Sequence, residues 1–179
     1  MLQQENTILV VVDIQGKLAN IVHEAEAMVR NAKIMIQGAK ILGLPIIATE
    51  QYPKGLGHTV PEIAEHFGDV PVLEKGTFSC CGDTAFLAEL QKHGRKSVLL
   101  CGIETHVCVY QTAQDLLENG YEVHLVTDAV SSRTPANKQL GIQKIASLGG
   151  TLTGTEMSLF ELLRISGTDE FKAISKLVK

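Results

Sequence analysis

Five short apolar runs punctuate the chain, at residues 8–12, 44–48, 70–73, 98–101 and 123–126. Each is rich in Val, Ile and Leu and bounded by turn residues, which predicts buried strands. Thr151–Thr153, following Gly149-Gly150, is a shorter sixth candidate. Between the first two runs the period changes: Met28, Ala32, Met35, Ala39 and Leu42 form one face of a helix that stops at Gly43. Val109, Ala113, Leu116 and Leu117 do the same ahead of an Asn119-Gly120 terminator. Residues 135–148 and 156–163 predict two more helices. Strands that are apolar on both faces and alternate with helices require a parallel sheet covered on both sides. No linker, repeat or low-complexity tract breaks the pattern, so the expectation is one doubly wound α/β domain over residues 1–179.

Composition narrows the partners. Apolar residues make up 45% and charged residues 20%, with a net charge of −4. There is no clustered basic face of the kind nucleic acid or an anionic membrane surface needs, so neither is an expected partner. No apolar run approaches the ~18 residues of a membrane span, and residues 1–12 do not read as a signal peptide. A cytoplasmic location is the expectation. The four cysteines, Cys80, Cys81, Cys101 and Cys108, have neither a disulfide framework's spacing nor paired zinc-ligand spacing, and are expected to be reduced.

In doubly wound sheets ligands bind beyond the carboxyl ends of the strands, which directs attention to the residues after each run. Asp13 follows the first, as a site carboxylate or as a turn or cap residue. A polar stretch, Thr49 to His58, follows the second. Lys75 follows the third and matters if an anion on a neighbouring strand, such as Asp13, meets it; otherwise it is solvated surface. After the fourth, Thr105 is an expected N-cap, which puts Cys108 in a helix's first turn. Amide groups there lower a thiol's pKa and donate to an oxyanion, so Cys108 is a candidate nucleophile, whereas Cys101 inside the strand reads as core. His106 diverges from Cys108 by about 100° per residue along a helix and is expected at the surface or behind the site. After the fifth run, Asp128 and Arg133 are expected to form a local ion pair. The histidines show no metal-ligand pairing.

Taken in order, Val11-Val12-Asp13-Ile14-Gln15, Thr49-Glu50-Gln51-Tyr52-Pro53, Lys75 with Phe78-Ser79, Gly102-Ile103-Glu104-Thr105-His106-Val107-Cys108-Val109 and Asp128-Ala129 with Ser131-Ser132-Arg133 resemble the isochorismatase-like cysteine hydrolases over nearly the whole chain. Within that superfamily the chain looks most like the isochorismatase domain-containing proteins with the Thr-Glu-Gln-Tyr-Pro loop. The resemblance implies a three-layer, Rossmann-like, six-stranded parallel sheet in a dimer or higher homo-oligomer. It implies an Asp13–Lys75–Cys108 triad, a cis peptide at Ile103–Glu104 and an oxyanion site from the N–H groups of Glu104 and Cys108. Gln15, Tyr52 and Phe78 are the expected pocket residues.

The implied chemistry is cofactor-free hydrolysis of a small amide, ureido or carbamoyl compound through a Cys108 thioester, with Lys75 stabilising the thiolate. The nicotinamidase branch carries an Asp-x-His pair and a second His for its metal. Glu50-Gln51-Tyr52 stands there in this chain, so no metal is expected. Vinyl-ether cleavage of isochorismate and a non-catalytic interaction protein that keeps the fold are the competing expectations.

Overall fold

The computed structural model describes residues 1–179. Six strands, β1 Thr7–Val12, β2 Ile46–Gln51, β3 Val72–Lys75, β4 Ser97–Ile103, β5 Glu122–Ser131 and β6 Thr151–Thr153, form one all-parallel sheet in the order β3-β2-β1-β4-β5-β6. The helices are α1 Leu18–Ile21, α2 Ala25–Ile41, α3 Pro53–Leu56, α4 Pro61–Ala64, α5 Thr84–Lys92, α6 Tyr110–Glu118, α7 Pro135–Ser147, α8 Thr155–Leu163 and α9 Asp169–Leu177. The doubly wound α/β expectation is therefore met.

The strands are hydrophobic on both faces because both faces are covered. Leu9 and Val11 of β1, with Leu99, Cys101 and Ile103 of β4, pack under α2, α4, α8 and α9 through Met28, Met35, Ile36, Ile63, Leu159 and Ile174. Ile8, Val10 and Val12, with Val98 and Leu100, pack on the other side under α5, α6 and α7 through Phe86, Leu90, Ala113, Leu116 and Ile145. Each fully buried aliphatic contributes about 1.5–3 kcal/mol, and β1 is buried at every position.

Three boundaries differ from expectation, each with a reason. Residues 70–73 are not a buried strand: β3 runs Val72–Lys75 at the sheet edge, where Val72 and Glu74 are exposed. β2 reaches Gln51 and β5 reaches Ser131, because ladder bonds carry the strands past the end of the apolar run into polar sequence. The short helices α1, α3 and α4, and with them α5 and α9, have no counterpart among the elements the sequence predicts.

Gly102 decides how the sheet meets the site. Its φ is +117°, and a Cβ there would lie 2.0 Å from the Val12 carbonyl oxygen. Only glycine lets β4 approach β1 this closely, one residue before Asp13. Gly16 (φ +53°) plays the same part in the turn after β1, where a Cβ would strike the Leu56 carbonyl.

Candidate functional site

Asp13 leaves β1 in the left-handed region, φ +50°, which Asp tolerates better than most residues. Its carboxylate is buried and no helix cap. Thr49 Oγ1 donates to Oδ1 at 2.7 Å, and Lys75 Nζ donates to Oδ2 at 2.7 Å. Lys75 reaches it from the end of β3, two strands away, with its side chain 1% exposed. The same ammonium donates to Gln51 Oε1 at 2.7 Å and to the carbonyls of Phe78 and Thr77 at 3.1 and 3.2 Å. A buried pair this well satisfied holds its geometry, and loss of either partner leaves an unpaired charge costing about 3–5 kcal/mol.

Beyond β4 the Ile103–Glu104 peptide is cis, and Thr105–Val109 forms a π-turn that passes into α6. Thr105 is not the expected N-cap: it lies inside the turn, fully buried, and its hydroxyl has no partner. The turn presents Cys108 to a cavity of about 300 Å³ that it shares with Asp13, Gln15, Leu18, Gln51, Leu56, Phe78, Ile103, Glu104, Val107 and Arg133. A larger hollow of about 500 Å³ at α1, α2 and α4 is lined by Asn20, Glu26, Arg30, Lys33 and Glu62 and contains no nucleophile.

Burial pushes the Cys108 thiol up to about 12. The negative charge of Asp13 adds to the rise, and Lys75 opposes it. The expected lowering by Lys75 is present, but burial and Asp13 outweigh it. The ammonium makes its bonds to Asp13, Gln51 and two carbonyls, so its charge acts on sulfur only at a distance. Cys108 therefore lies in the cavity as a thiol pushed up by burial, beside the Asp13–Lys75 ion pair.

Of the expected pocket residues, Gln15 and Phe78 line the cavity, but Tyr52 does not. Its ring is over Gly55, 61% of the residue is exposed, and it borders a separate depression with Pro53 and Lys54. The expected Asp128–Arg133 pair is also absent. Because β5 continues to Ser131, Asp128 lies within the strand and accepts from Thr155 N and Oγ1 at the start of α8. Arg133 lies at the strand's true carboxyl end, where its backbone N and Nε donate to Glu104 Oε1 at 3.0 and 3.1 Å. His106 is held by Ser132 Oγ at 3.0 Å and is absent from the cavity lining.

Residues that sequence reasoning passed over are Thr49, Gln51 and the Glu104–Arg133 pair. Only the strand-end rule, applied to the true ends of β2 and β5, marks Gln51 and Arg133. The region around Glu50 does not fit a metal. Glu50 accepts from Thr59 N and Oγ1 and pairs with His58, and no cluster of three or more His, Cys, Asp or Glu side chains is close enough to hold an ion.

A parallel α/β sheet with a cavity-facing cysteine beside a buried carboxylate–ammonium pair defines a class of hydrolase, and comparison with known proteins gives the family. The isochorismatase domain matches residues 7–157, so the chain belongs to the isochorismatase family and is a hydrolase of that family. It is 40% identical to the secreted isochorismatase effector Isc1 of Phytophthora sojae, over 97% of this chain and 85% of that protein. Among solved structures, the MAR1 ribonuclease of Caenorhabditis elegans superposes with a TM-score of 0.93 at 39% identity, covering 99% of this chain and 91% of that one. YcaC of Pseudomonas aeruginosa, described with hexane-2,5-diol and covalent acrylamide, gives 0.92 at 25% identity, covering 98% and 90%. No helix of the protein is long and apolar enough to cross a membrane.

Proposed function

We propose that the protein is a metal-independent cysteine hydrolase of small amide, ureido or carbamoyl compounds. The observation that carries this reading is the single cavity shared by Cys108 and Asp13, with Lys75 locked on Asp13 at 2.7 Å. A volume of about 300 Å³ suits a compact substrate. The covalent acrylamide described for the YcaC relative is a small carboxamide of that kind.

In this mechanism Cys108 sulfur attacks the carbonyl carbon as Asp13 accepts the thiol proton, so no resting thiolate is required. The N–H groups of Glu104 and Cys108 receive the oxyanion. Asp13 returns the proton to the leaving nitrogen as the C–N bond breaks and a thioester forms. Asp13 then takes a proton from water as the water oxygen attacks the thioester carbonyl, and it gives that proton to the departing sulfur as the C–S bond breaks, releasing the acid and regenerating the Cys108 thiol. Lys75 keeps Asp13 oriented throughout.

A panel of small amides and ureides assayed for ammonia release tests the reading. Turnover by the wild type, absent in Cys108→Ser and unaffected by prolonged chelation, is the expected result. Silence across the panel overturns the amide and ureide reading.

The likeness to MAR1 favours a second reading, phosphodiester hydrolysis. Against it stand the net charge of −4 and a cavity whose one cation, Arg133, is already paired with Glu104. RNA cleavage lost in Cys108→Ser and in Arg133→Gln establishes that alternative. A homo-oligomer, which light scattering would test, and a cytosolic location complete the proposal; the secreted Isc1 relative makes the location a point to test by fractionation.

A further inference from the structure

We infer that Gln51 is a positioning residue that holds the Lys75 ammonium on Asp13, an inference that rests on the cysteine-hydrolase reading above. Lys75 Nζ has four acceptors, but only two are short: Asp13 Oδ2 and Gln51 Oε1, both at 2.7 Å. Lys75 does not line the Cys108 cavity, whereas Gln51 does. Gln51 thus ties the ammonium to the lining of that cavity through a bond as short as the one to Asp13.

Gln51 is itself held from two directions. Its Nε2 donates to the Gly76 carbonyl at 3.0 Å. Its backbone is gripped by Gln15, whose Oε1 accepts from Gln51 N at 2.6 Å and whose Nε2 donates to the carbonyls of Gln51 and Gly57 at 3.0 and 2.6 Å. Gln15 is buried, and both ends of its amide are occupied by main chain, so it sets the position of Gln51 rather than recognising substrate. Thr49 holds the other oxygen of Asp13. Hydrogen bonds therefore run from the turn after β1 through the end of β2 to the end of β3 and back to Asp13. Such a circuit keeps the carboxylate compensated and aimed at the thiol.

The charged and ionisable groups around Cys108 are Asp13 at the end of β1, Lys75 at the end of β3, Cys80, and the Glu104–Arg133 pair lining the same cavity. Gln51→Leu removes one of the two short bonds to Lys75, loosening it from Asp13 and leaving more uncompensated negative charge facing the thiol. Gln51→Glu keeps the size and the acceptor, loses the donor to the Gly76 carbonyl, and adds a carboxylate that draws Lys75 away from Asp13.

The test is the pH profile of iodoacetamide alkylation at Cys108 in the full chain, read by peptide mass spectrometry and paired with thermal melts. At a fixed pH the leucine variant should alkylate several-fold more slowly than wild type, and the glutamate variant's profile should move up by about one pH unit. The near-isosteric glutamate variant keeps the test decisive if the leucine variant does not fold. Wild-type profiles in every folded variant, with only the melting temperature lowered, overturn the inference and leave Gln51 as structure alone. Absence of Cys108 labelling in the wild type instead overturns the hydrolase reading on which it rests.

Discussion

Strand β4 and the turn that follows it carry two thiols seven residues apart, and the two regions put them to different use. Cys101 points from the strand into the layer under α2 and α8, fully buried among aliphatic side chains. Cys108 faces the opposite layer, and the π-turn opens it to a cavity beside Asp13 and Lys75. Burial pushes both thiols up to about 12. The shift therefore does not distinguish them. Access to a substrate-sized space shared with the Asp13 carboxylate does.

The largest effect should come from exchanging sulfur for oxygen in the two regions. Cys108→Ser is expected to lower turnover by about 10³-fold or more with little change in melting temperature. Cys101→Ser should leave turnover within about twofold and instead lose about 1–3 kcal/mol, because a hydroxyl is buried without a partner. Steady-state rates and urea titrations of the pair measure both. Next comes Asp13→Asn, which keeps the volume but removes the proton acceptor; a loss of about 10²–10⁴-fold in turnover is expected. Equal loss in Asp128→Asn would break the assignment, since Asp128 serves α8 and not the cavity.

Gly102→Ala tests the junction between the two regions. The added Cβ meets the Val12 carbonyl oxygen at 2.0 Å with φ at +117°. A loss of about 1–3 kcal/mol is expected, accompanied by reduced turnover because Asp13 follows Val12 directly. A melt and rate equal to wild type would show that the close approach is unimportant.

The smallest effect concerns Glu50. Burial raises its carboxyl, but the hydrogen bonds from Thr59 N and Oγ1, then His58, outweigh that and hold it below its ordinary 4.5. A carboxyl depressed in the folded state contributes stability that is present above the unfolded value and lost as pH falls through the folded one. Wild type and Glu50→Gln should therefore differ by about 1 kcal/mol at pH 7 and converge as the pH falls below the depressed folded value, by denaturation at each pH. A difference that persists at acid pH would assign the effect to packing.

How much of this was legible in the sequence depended on range. The runs at 8–12 and 98–101 announced central strands, and the residues after them, Asp13 and Cys108, are those the structure brings to one cavity. Lys75 was legible as a partner for Asp13 because both follow apolar runs. What stayed hidden required knowing where polar strands end. Thr127 to Ser131 reads as loop, yet pairing with β4 carries β5 through it, moving Arg133 to the site and Asp128 away from it. Gln51 likewise looked like loop until its ladder with Lys75 was seen. The π-turn leaves no period in its five residues, so Thr105 passed for a cap. The balance at Cys108 was hidden as well: burial and Asp13 outweigh Lys75 there, and the acceptors that occupy Lys75, Gln51 and two carbonyls, carry no sequence signal.

The central claim is that Cys108, alone among the four thiols, sits in a substrate-sized cavity and reacts there. The measurement that tests it most directly is site-resolved iodoacetamide labelling of the wild-type protein between pH 7 and 10. Cys108 should label ahead of Cys80 and Cys101, its rate rising about tenfold per pH unit without a plateau, as a thiol pushed up to about 12 requires. Saturating acetamide should protect it while leaving Cys81 unaffected. Faster labelling at Cys80 or Cys81, or a Cys108 rate that acetamide does not change, would contradict the account.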